Sequence, residues 1–263
     1  MSDHADELLR PGPEVEGTSA YARLNRYAMF DEVNAPYMRW QLEQFDPYLG
    51  QRVLEVGCGV GSILAQLPRR EFVMGVDIEE DLVAYASNRF SGRQGYEFSS
   101  LDISSLSTER RSILRGHRFD SIVCINVLEH VKDDRAAIDT MADVVEPGGH
   151  VAILVPAHPA LYGQYDEMEG HFRRYSRGGL RKLLNRSGLE IVRLHRFNMI
   201  GAAGWWIQYR LLRRRIHGQG HFRILQTALP VLKTIEARVK PPFGLSLVAV
   251  ARKPTVAGKA RGV

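Results

Sequence analysis

Beyond residue 50 the chain alternates between two hydrophobic periods. Short runs at Arg52–Val56, Phe72–Asp77, Tyr96–Leu101, Asp120–Ile125, His150–Val155 and Glu190–Phe197 read as strands, the first of them buried. Between them the apolar positions recur every three or four residues. That spacing predicts helices at Ser62–Leu67, Asp81–Arg89, Thr108–Leu114, Asp134–Val145 and Arg177–Ser187. Such an alternation predicts an α/β fold, a parallel sheet covered by helices and joined by right-handed crossovers. Gly148-Gly149 marks a tight turn into the fifth strand. Met199 to Val239 are mostly helical by pattern, and Ser246–Ala251 reads as a last strand. Ahead of the alternation, Tyr21, Leu24, Tyr27, Phe30, Val33, Tyr37, Trp40 and Phe45 suggest two short amphipathic helices, with the break at Asn34-Ala35-Pro36.

Composition narrows the class without naming a chemistry. A chain of 263 residues, 44% hydrophobic and 25% charged, can bury a sizeable core as one domain. Residues 1 to 20 lack the apolar stretch of a signal peptide. The weakly polar run Phe197 to Tyr209 is shorter than the roughly 18 residues a spanning helix needs. Cys58 and Cys124 are in no paired spacing, so neither a disulfide framework nor a zinc site is expected, and a reducing cytoplasm is. The net charge of +5 is unevenly placed: 13 Arg or Lys lie between His171 and Arg223 against the single acid Glu190. That run leaves nucleic acid, anionic lipid and an acidic substrate open beside a plain solvated surface.

The sharpest signal is Val53-Leu54-Glu55-Val56-Gly57-Cys58-Gly59-Val60-Gly61, a strand broken by glycines at alternate positions. A strand, a glycine turn and a following helix form a site where a ligand approaches bare backbone. Asp77 ends the second strand, 77 − 57 = 20 residues past the first glycine, where a carboxylate can accept from both hydroxyls of a ribose. A dinucleotide and S-adenosylmethionine (SAM) both satisfy this much. The dinucleotide fingerprint wants a glycine at the position of Ser62, however, and the chain instead carries Glu55 ahead of the three glycines. An acid in a buried strand needs a positive partner, and the amino group of a methionyl moiety is one.

At these residues the sequence resembles the class I SAM-dependent methyltransferases, whose first motif is E-x-G-x-G-x-G. The resemblance continues through Asp77, Ser100-Leu101-Asp102-Ile103, Phe119 to His130, and Glu146-Pro147-Gly148-Gly149, and covers about residues 50 to 156. It implies a Rossmann-like seven-stranded, mostly parallel sheet with an antiparallel last strand, helices on both faces, an N-terminal helical lid and a helical insert before that strand. In these terms the single domain divides into a tail (1–18), a lid (19–50), a SAM-binding core (51–156), a substrate-side loop and insert (157–240), the last strand (241–253) and a second tail (254–263). By resemblance Glu55, Gly57, Gly59 and Gly61 meet the methionyl part and ribose, Asp77 holds the ribose hydroxyls, and Ile78 packs on the adenine. Asp102 accepts from the adenine amino group with Ile103 beside the ring, and Asn126 lies near the methionyl end. Tyr21 and Tyr27 are the expected lid contacts. The product is S-adenosylhomocysteine (SAH).

The acceptor side is less constrained. Methyl transfer from a sulfonium is an in-line displacement, with a general base needed only for some nucleophiles. His130, in Asn126-Val127-Leu128-Glu129-His130, and His171 are the candidate catalytic groups, and a structural pairing of Glu129 with His130 stays open. Related quinone and small-RNA methyltransferases hold a divalent metal with acids and histidines here. Asn126 stands where the quinone enzymes carry their first acid, so no metal is expected. Tyr162, Tyr165, Asp166, Arg174 and Tyr175 surround His171 at the sheet edge where open α/β sheets bind ligands, and they are the candidate acceptor contacts. Bracing of that loop by Asp166, His171 and Arg174 is the alternative. The insert from Gly201 to Arg215 suits a weak membrane-surface contact, a substrate wall or a homodimer face. The expected activity is methyl transfer to a hydroxyl, or an amine, of a small-molecule biosynthetic intermediate of natural-product or quinone type, with no nucleic acid partner. An RNA or protein methyltransferase, a non-catalytic SAM-binding protein and a dinucleotide oxidoreductase are the rivals.

Overall fold

In the computed structural model the described residues are 24, 34–199, 201, 229, 232–236, 238 and 243–255. Tyr21, Tyr27 and the other lid residues 19–23 and 25–33, with residues 202–215 of the Trp- and Arg-rich insert, lie outside them. Seven strands form one sheet: β1 (Arg52–Val56), β2 (Phe72–Asp77), β3 (Tyr96–Ser100), β4 (Ser121–Ile125), β5 (His150–Pro156), β6 (Glu190–Phe197) and β7 (Ser246–Arg252). Their order is β3-β2-β1-β4-β5-β7-β6. Neighbours from β3 to β5 are parallel, and β7 runs antiparallel to both β5 and β6. The order reverses between β1 and β4, which opens a crevice at their carboxyl ends.

Alternation along each strand separates two cores. Leu54, Val56, Ile122, Cys124 and Ile153 face one side, with Leu114, Met141 and Leu180 from its helices. Val53, Val73, Val123, Ala152 and Val248 face the other, under Trp40, Leu42, Phe45 and Phe197. The described residues include the helices α1 over residues 34–43, α2 (Glu80–Arg89), α3 (Thr108–Gly116), α4 (Asp134–Val144), α5 (Gln164–Met168) and α6 (Arg177–Arg186), and residues 232–236 are helical as well. Ser107, Asp133 and Ser176 cap the N-termini of α3, α4 and α6 with side-chain oxygens.

Three expectations differ from the structure. Ser62–Leu67 makes only a three-residue 3-10 turn, Leu64–Gln66. The stretch between Gly61 and Pro68 is less than two turns long, too short to repay helix nucleation, and Leu67 is held extended by the proline that follows. The break expected at Asn34-Ala35-Pro36 instead lies within helical residues 34–43. Proline's fixed φ is itself helical, so it disrupts only a turn that needs its N–H. Within the expected loop after β5, the backbone N–H of Gly163 donates to Asp166 Oδ2 (3.1 Å) and starts the short α5. No described helix is long and apolar enough to cross a membrane.

His195 on β6 couples the fold to pH. Its Nε2 lies 3.3 Å from Gln44 Oε1 beside α1. Burial, then the charges of Arg193 and Arg177, lower its pKa to about 4. An unfolded imidazole binds its proton near 6.5, so the unfolded state is protonated first as the medium is acidified. The stability that comes from a neutral His195 is therefore intact above about pH 6.5 and is lost as pH falls towards 4. His195→Gln should lose about 1–2 kcal/mol less stability than the parent between pH 7 and 4.5. Denaturant melts at the two pH values measure this, and equal losses would refute it.

Candidate active site

The glycine loop after β1 is left-handed at each glycine: φ is +73° at Gly57, +50° at Gly59 and +80° at Gly61. Gly57 and Cys58 donate their N–H groups to Val76 O at 2.8 and 3.0 Å, which turns the chain back over the end of β2. A Cβ on Gly57 would lie 2.2 Å from Val127 Cγ2, whereas one on Gly59 would meet nothing within 4 Å. The first glycine thus serves the packing of two strand ends, and the second faces open space. Asp77 Oδ2 accepts from Gly59 N at 2.8 Å and Oδ1 from Glu79 N at 3.1 Å, so the carboxylate is aimed across the loop mouth with acceptor capacity to spare. Beside it Ile78 is 65% exposed, an apolar side chain left uncovered at the rim. Asn126, just beyond β4, is exposed and strained, with φ +54°. Glu55 is buried in β1 beneath the loop. Burial, with Glu55 and Asp77 nearby, raises the Cys58 thiol well above its ordinary range.

The next two positions fit a ligand less directly. Asp102 accepts from Ser104 N (2.9 Å), Ser104 Oγ (2.7 Å) and Ser105 Oγ (2.9 Å), so both its oxygens are engaged in a local turn. Partial burial pushes its pKa up, but those hydrogen bonds outweigh it and hold it below the usual carboxylate value. Ile103 is packed into the core.

A second cluster lies where the loop after β5 folds over the loop after β4. The excursion from His158 returns at Tyr175, which pairs with Ala157 and donates its N–H to Pro156 O at 2.9 Å. On the way Phe172 N donates to Glu129 O at 2.7 Å, which pins the excursion to the 3-10 turn Leu128–His130. Tyr175 is buried, and its hydroxyl bonds Leu128 O (3.0 Å) and Asp134 Oδ2 (2.8 Å). Asp166 is fully buried and is the hub of the excursion. Its Oδ1 accepts from His171 Nδ1 at 2.8 Å and from Arg174 Nε at 2.7 Å.

His171 meets His130 edge-on, with ring centroids 4.6 Å apart at 84°. One polar atom from each of Glu129, His130 and His171 lies within 4.8 Å of the other two. Burial pushes the Glu129 carboxyl up to about 8. A backbone hydrogen bond and the Arg174 charge draw it down, while Asp166 adds to the rise. Burial, then the neighbouring His171, lowers the pKa of His130.

The structure therefore divides the residues expected around the acceptor. Asp166, Arg174 and Tyr175 are buried, with polar atoms spent on one another and on the loops. They position His171 and do not line an open surface. Tyr162 is exposed, its hydroxyl donating to His171 O at 2.8 Å, and Tyr165 is half-buried. Sequence reasoning missed the exposed Met168 and Phe172 in the His171 loop, because single apolar residues in a polar loop carry no periodicity. It also read Glu129 and His130 as a local pair, without the third member that tertiary folding adds.

Gly57→Ala puts a Cβ against Val127 and asks alanine to hold φ +73°. The variant should lose about 2–4 kcal/mol of stability. SAH binding should weaken at least tenfold. Thermal denaturation and calorimetry would check both, and unchanged values would contradict the close approach described above.

The family described as "Methyltransferase domain" matches residues 20–194. The ubiquinone biosynthesis O-methyltransferase of Vibrio cholerae is 33% identical over 122 residues, covering 46% of this chain and 48% of that protein. The enzyme of the same name from Coxiella burnetii is 34% identical over 110 residues, covering 41% and 44%. The chain thus spans about half the length of the curated relatives it matches. Among solved structures, the [4+2]-cyclase SpnF superposes with a TM-score of 0.56 at 20% identity, covering 84% of this chain and 81% of that one. The N-methyltransferase NodS from Bradyrhizobium japonicum WM9 gives 0.52 at 18% identity, covering 85% and 97%. At such identities these likenesses establish the fold alone, and a cyclase among them shows that the fold does not dictate the reaction. The family match is more specific, since residues 20–194 include the glycine loop and both loops that carry the histidines. The chain belongs to the methyltransferase-domain family, as its class I SAM-dependent motifs imply.

Proposed function

We propose that the protein transfers a methyl group from SAM to a hydroxyl of a small-molecule biosynthetic intermediate of quinone or natural-product type. The observation that carries this reading is the His171 ring, fixed by a buried carboxylate at the carboxyl edge of the sheet, next to His130. A carboxylate can only accept, so Asp166 holds the proton on His171 Nδ1 and leaves Nε2 as the basic nitrogen. Glu55, Gly57, Gly59, Gly61, Asp77, Ile78, Asp102, Ile103 and Asn126 are the donor's contacts in this reading, at the crevice between β1 and β4. The 3-10 turn that carries His130 starts two residues beyond Asn126, so donor and acceptor groups share one edge of the sheet.

The acceptor oxygen attacks the methyl carbon in line with the carbon–sulfur bond. That bond breaks with its electron pair going to sulfur, which leaves neutral SAH, and the hydroxyl proton passes to His171 Nε2. Tyr162, whose hydroxyl reaches His171 O, and its chain neighbour Phe172 are exposed aromatic groups near the histidine, suited to a flat, weakly polar acceptor. The relatives named as O-methyltransferases, matched over about half of their length, favour oxygen over nitrogen as the nucleophile. An amine acceptor would need no base once deprotonated.

The test is His171→Ala, assayed with radiolabelled SAM against a panel of phenols, catechols and aryl amines. SAH affinity by calorimetry should stay within about twofold of the parent, while methyl transfer to the preferred hydroxyl acceptor falls about 100-fold or more. Undiminished transfer would remove His171 from the chemistry. A parent protein that bound neither SAM nor SAH would defeat the whole reading.

A further inference from the structure

We infer that a cleft beside β6 binds a small organic anion, a molecule with a carboxylate or phosphate head and an apolar body. The cleft is a cavity of about 810 Å³ between β6, α1 and the helical residues 232–236. β6 is an outermost strand, three places from β4, so the cleft lies roughly 14 Å along the sheet from the glycine crevice at the usual strand spacing. It is a second site, and it stands whether or not the methyl-transfer reading holds.

The charges on its walls argue for an anionic head. Arg193 and Arg196 come from β6, and Arg177 reaches the same cleft from the first turn of α6. Arg193 Nη1 donates to Gln44 O at 3.2 Å, and Arg177 Nη2 donates to Leu194 O at 3.3 Å. Among the described residues none of these three guanidinium groups is paired with a carboxylate. The acids on the walls are engaged elsewhere. Glu43 binds Lys233 Nζ at 2.6 Å, and Glu236 accepts from the backbone N–H groups of Asn198 and Met199. A guanidinium fork matches the paired oxygens of a carboxylate or phosphate, and partial burial strengthens the attraction.

His195 supplies an independent observation. Gln44 Nε2 donates to Trp40 O at 3.1 Å, which turns Gln44 Oε1 towards His195 Nε2 at 3.3 Å and places the ring proton there. Nδ1 is then an acceptor, buried and without a hydrogen-bond partner among the described residues. Burial, then the charges of Arg193 and Arg177, holds the ring neutral. The other charged groups around the cleft are Arg196 on the same strand, Glu43 from α1, and Lys233 and Glu236 from residues 232–236. An anion seated on the arginines cancels the field that keeps Nδ1 unprotonated, so ligand binding and proton uptake by His195 are coupled. The apolar body is argued from the remaining wall. Trp40, Leu194 and Phe197 line the same cavity, with the Trp40 and Phe197 rings 4.4 Å apart. The volume falls within the roughly 300–1,000 Å³ of small-molecule pockets and exceeds what a bare phosphate fills.

The test titrates the full chain with benzoate, phenyl phosphate and the neutral benzamide. The His195 ring resonances are followed by NMR, with His195→Gln for assignment. Both anions should raise the His195 pKa from about 4 to about 5 or above, and benzamide should leave it in place. Whichever of benzoate and phenyl phosphate binds more tightly identifies the head group, and either order supports the site. Arg193→Gln and Arg196→Gln should each weaken the anions about tenfold. Arg181→Gln, on the exposed face of α6 outside the cleft, should change neither. Arg196 makes no hydrogen bond among the described residues, so its variant stays informative if Arg193→Gln fails to fold. His195 resonances that neither anion moves at millimolar concentration would overturn the proposal. Equal weakening by Arg181→Gln would overturn it too, as a general attraction to a basic surface.

Discussion

The closeness of two strand ends governs this molecule. Gly57 has no room for a side chain because Val127, just past β4, occupies the space a Cβ would take, only 2.2 Å away. That contact exists because β1 and β4 are neighbours in the sheet although β2, α2, β3 and α3 separate them along the chain. At this point the strand order reverses, and loops leaving the two strands diverge to opposite sides, which opens a crevice between them. The backbone can enter the crevice only where glycine permits a left-handed turn. Asp77, Ile78 and Asn126 take their places around it as a consequence, at the ends of the adjoining strands.

The second half of the site depends on a different kind of constraint. Asp166 is a fully buried carboxylate that accepts from a histidine, an arginine and a backbone amide. A buried charge of this kind is tolerated only with its partners in place. The loop after β5 is therefore far from a free connector: removing Asp166 would strand Arg174 and release His171. Its closure over the loop after β4, through Phe172 and Tyr175, sets His171 against His130 and Glu129. The cluster is thus built from one half set by the glycine loop and one half braced by a buried carboxylate.

The seven strands were legible because their signal is local. Most are short apolar runs, β3 and β6 mix polar with apolar positions, and each expected boundary lies within about a residue of the strand observed. The donor loop was legible for a similar reason, since Glu55, the three glycines and Asp77 carry their geometry in their spacing. The failures were local in a different way. Ser62–Leu67 has a helix-like pattern but too few residues before Pro68 to sustain one, and Pro36 resembles a breaker yet sits within helical residues. Pattern reports which face is apolar, and it does not report whether enough hydrogen bonds follow to hold a turn.

What the sequence by itself determined was the α/β sheet, the glycine crevice and the class of donor, because each follows from periodicity or from residues a fixed distance apart. What only the tertiary structure decided was the meaning of the polar residues beyond β5. Asp166, Arg174 and Tyr175 look like surface groups for a ligand when read in a line, and burial makes them the frame behind His171. Glu129, His130 and His171 become one cluster only when two loops cross. A side chain's role depends on whether it meets water, a partner or empty space, and that is settled by contacts between residues far apart in the chain.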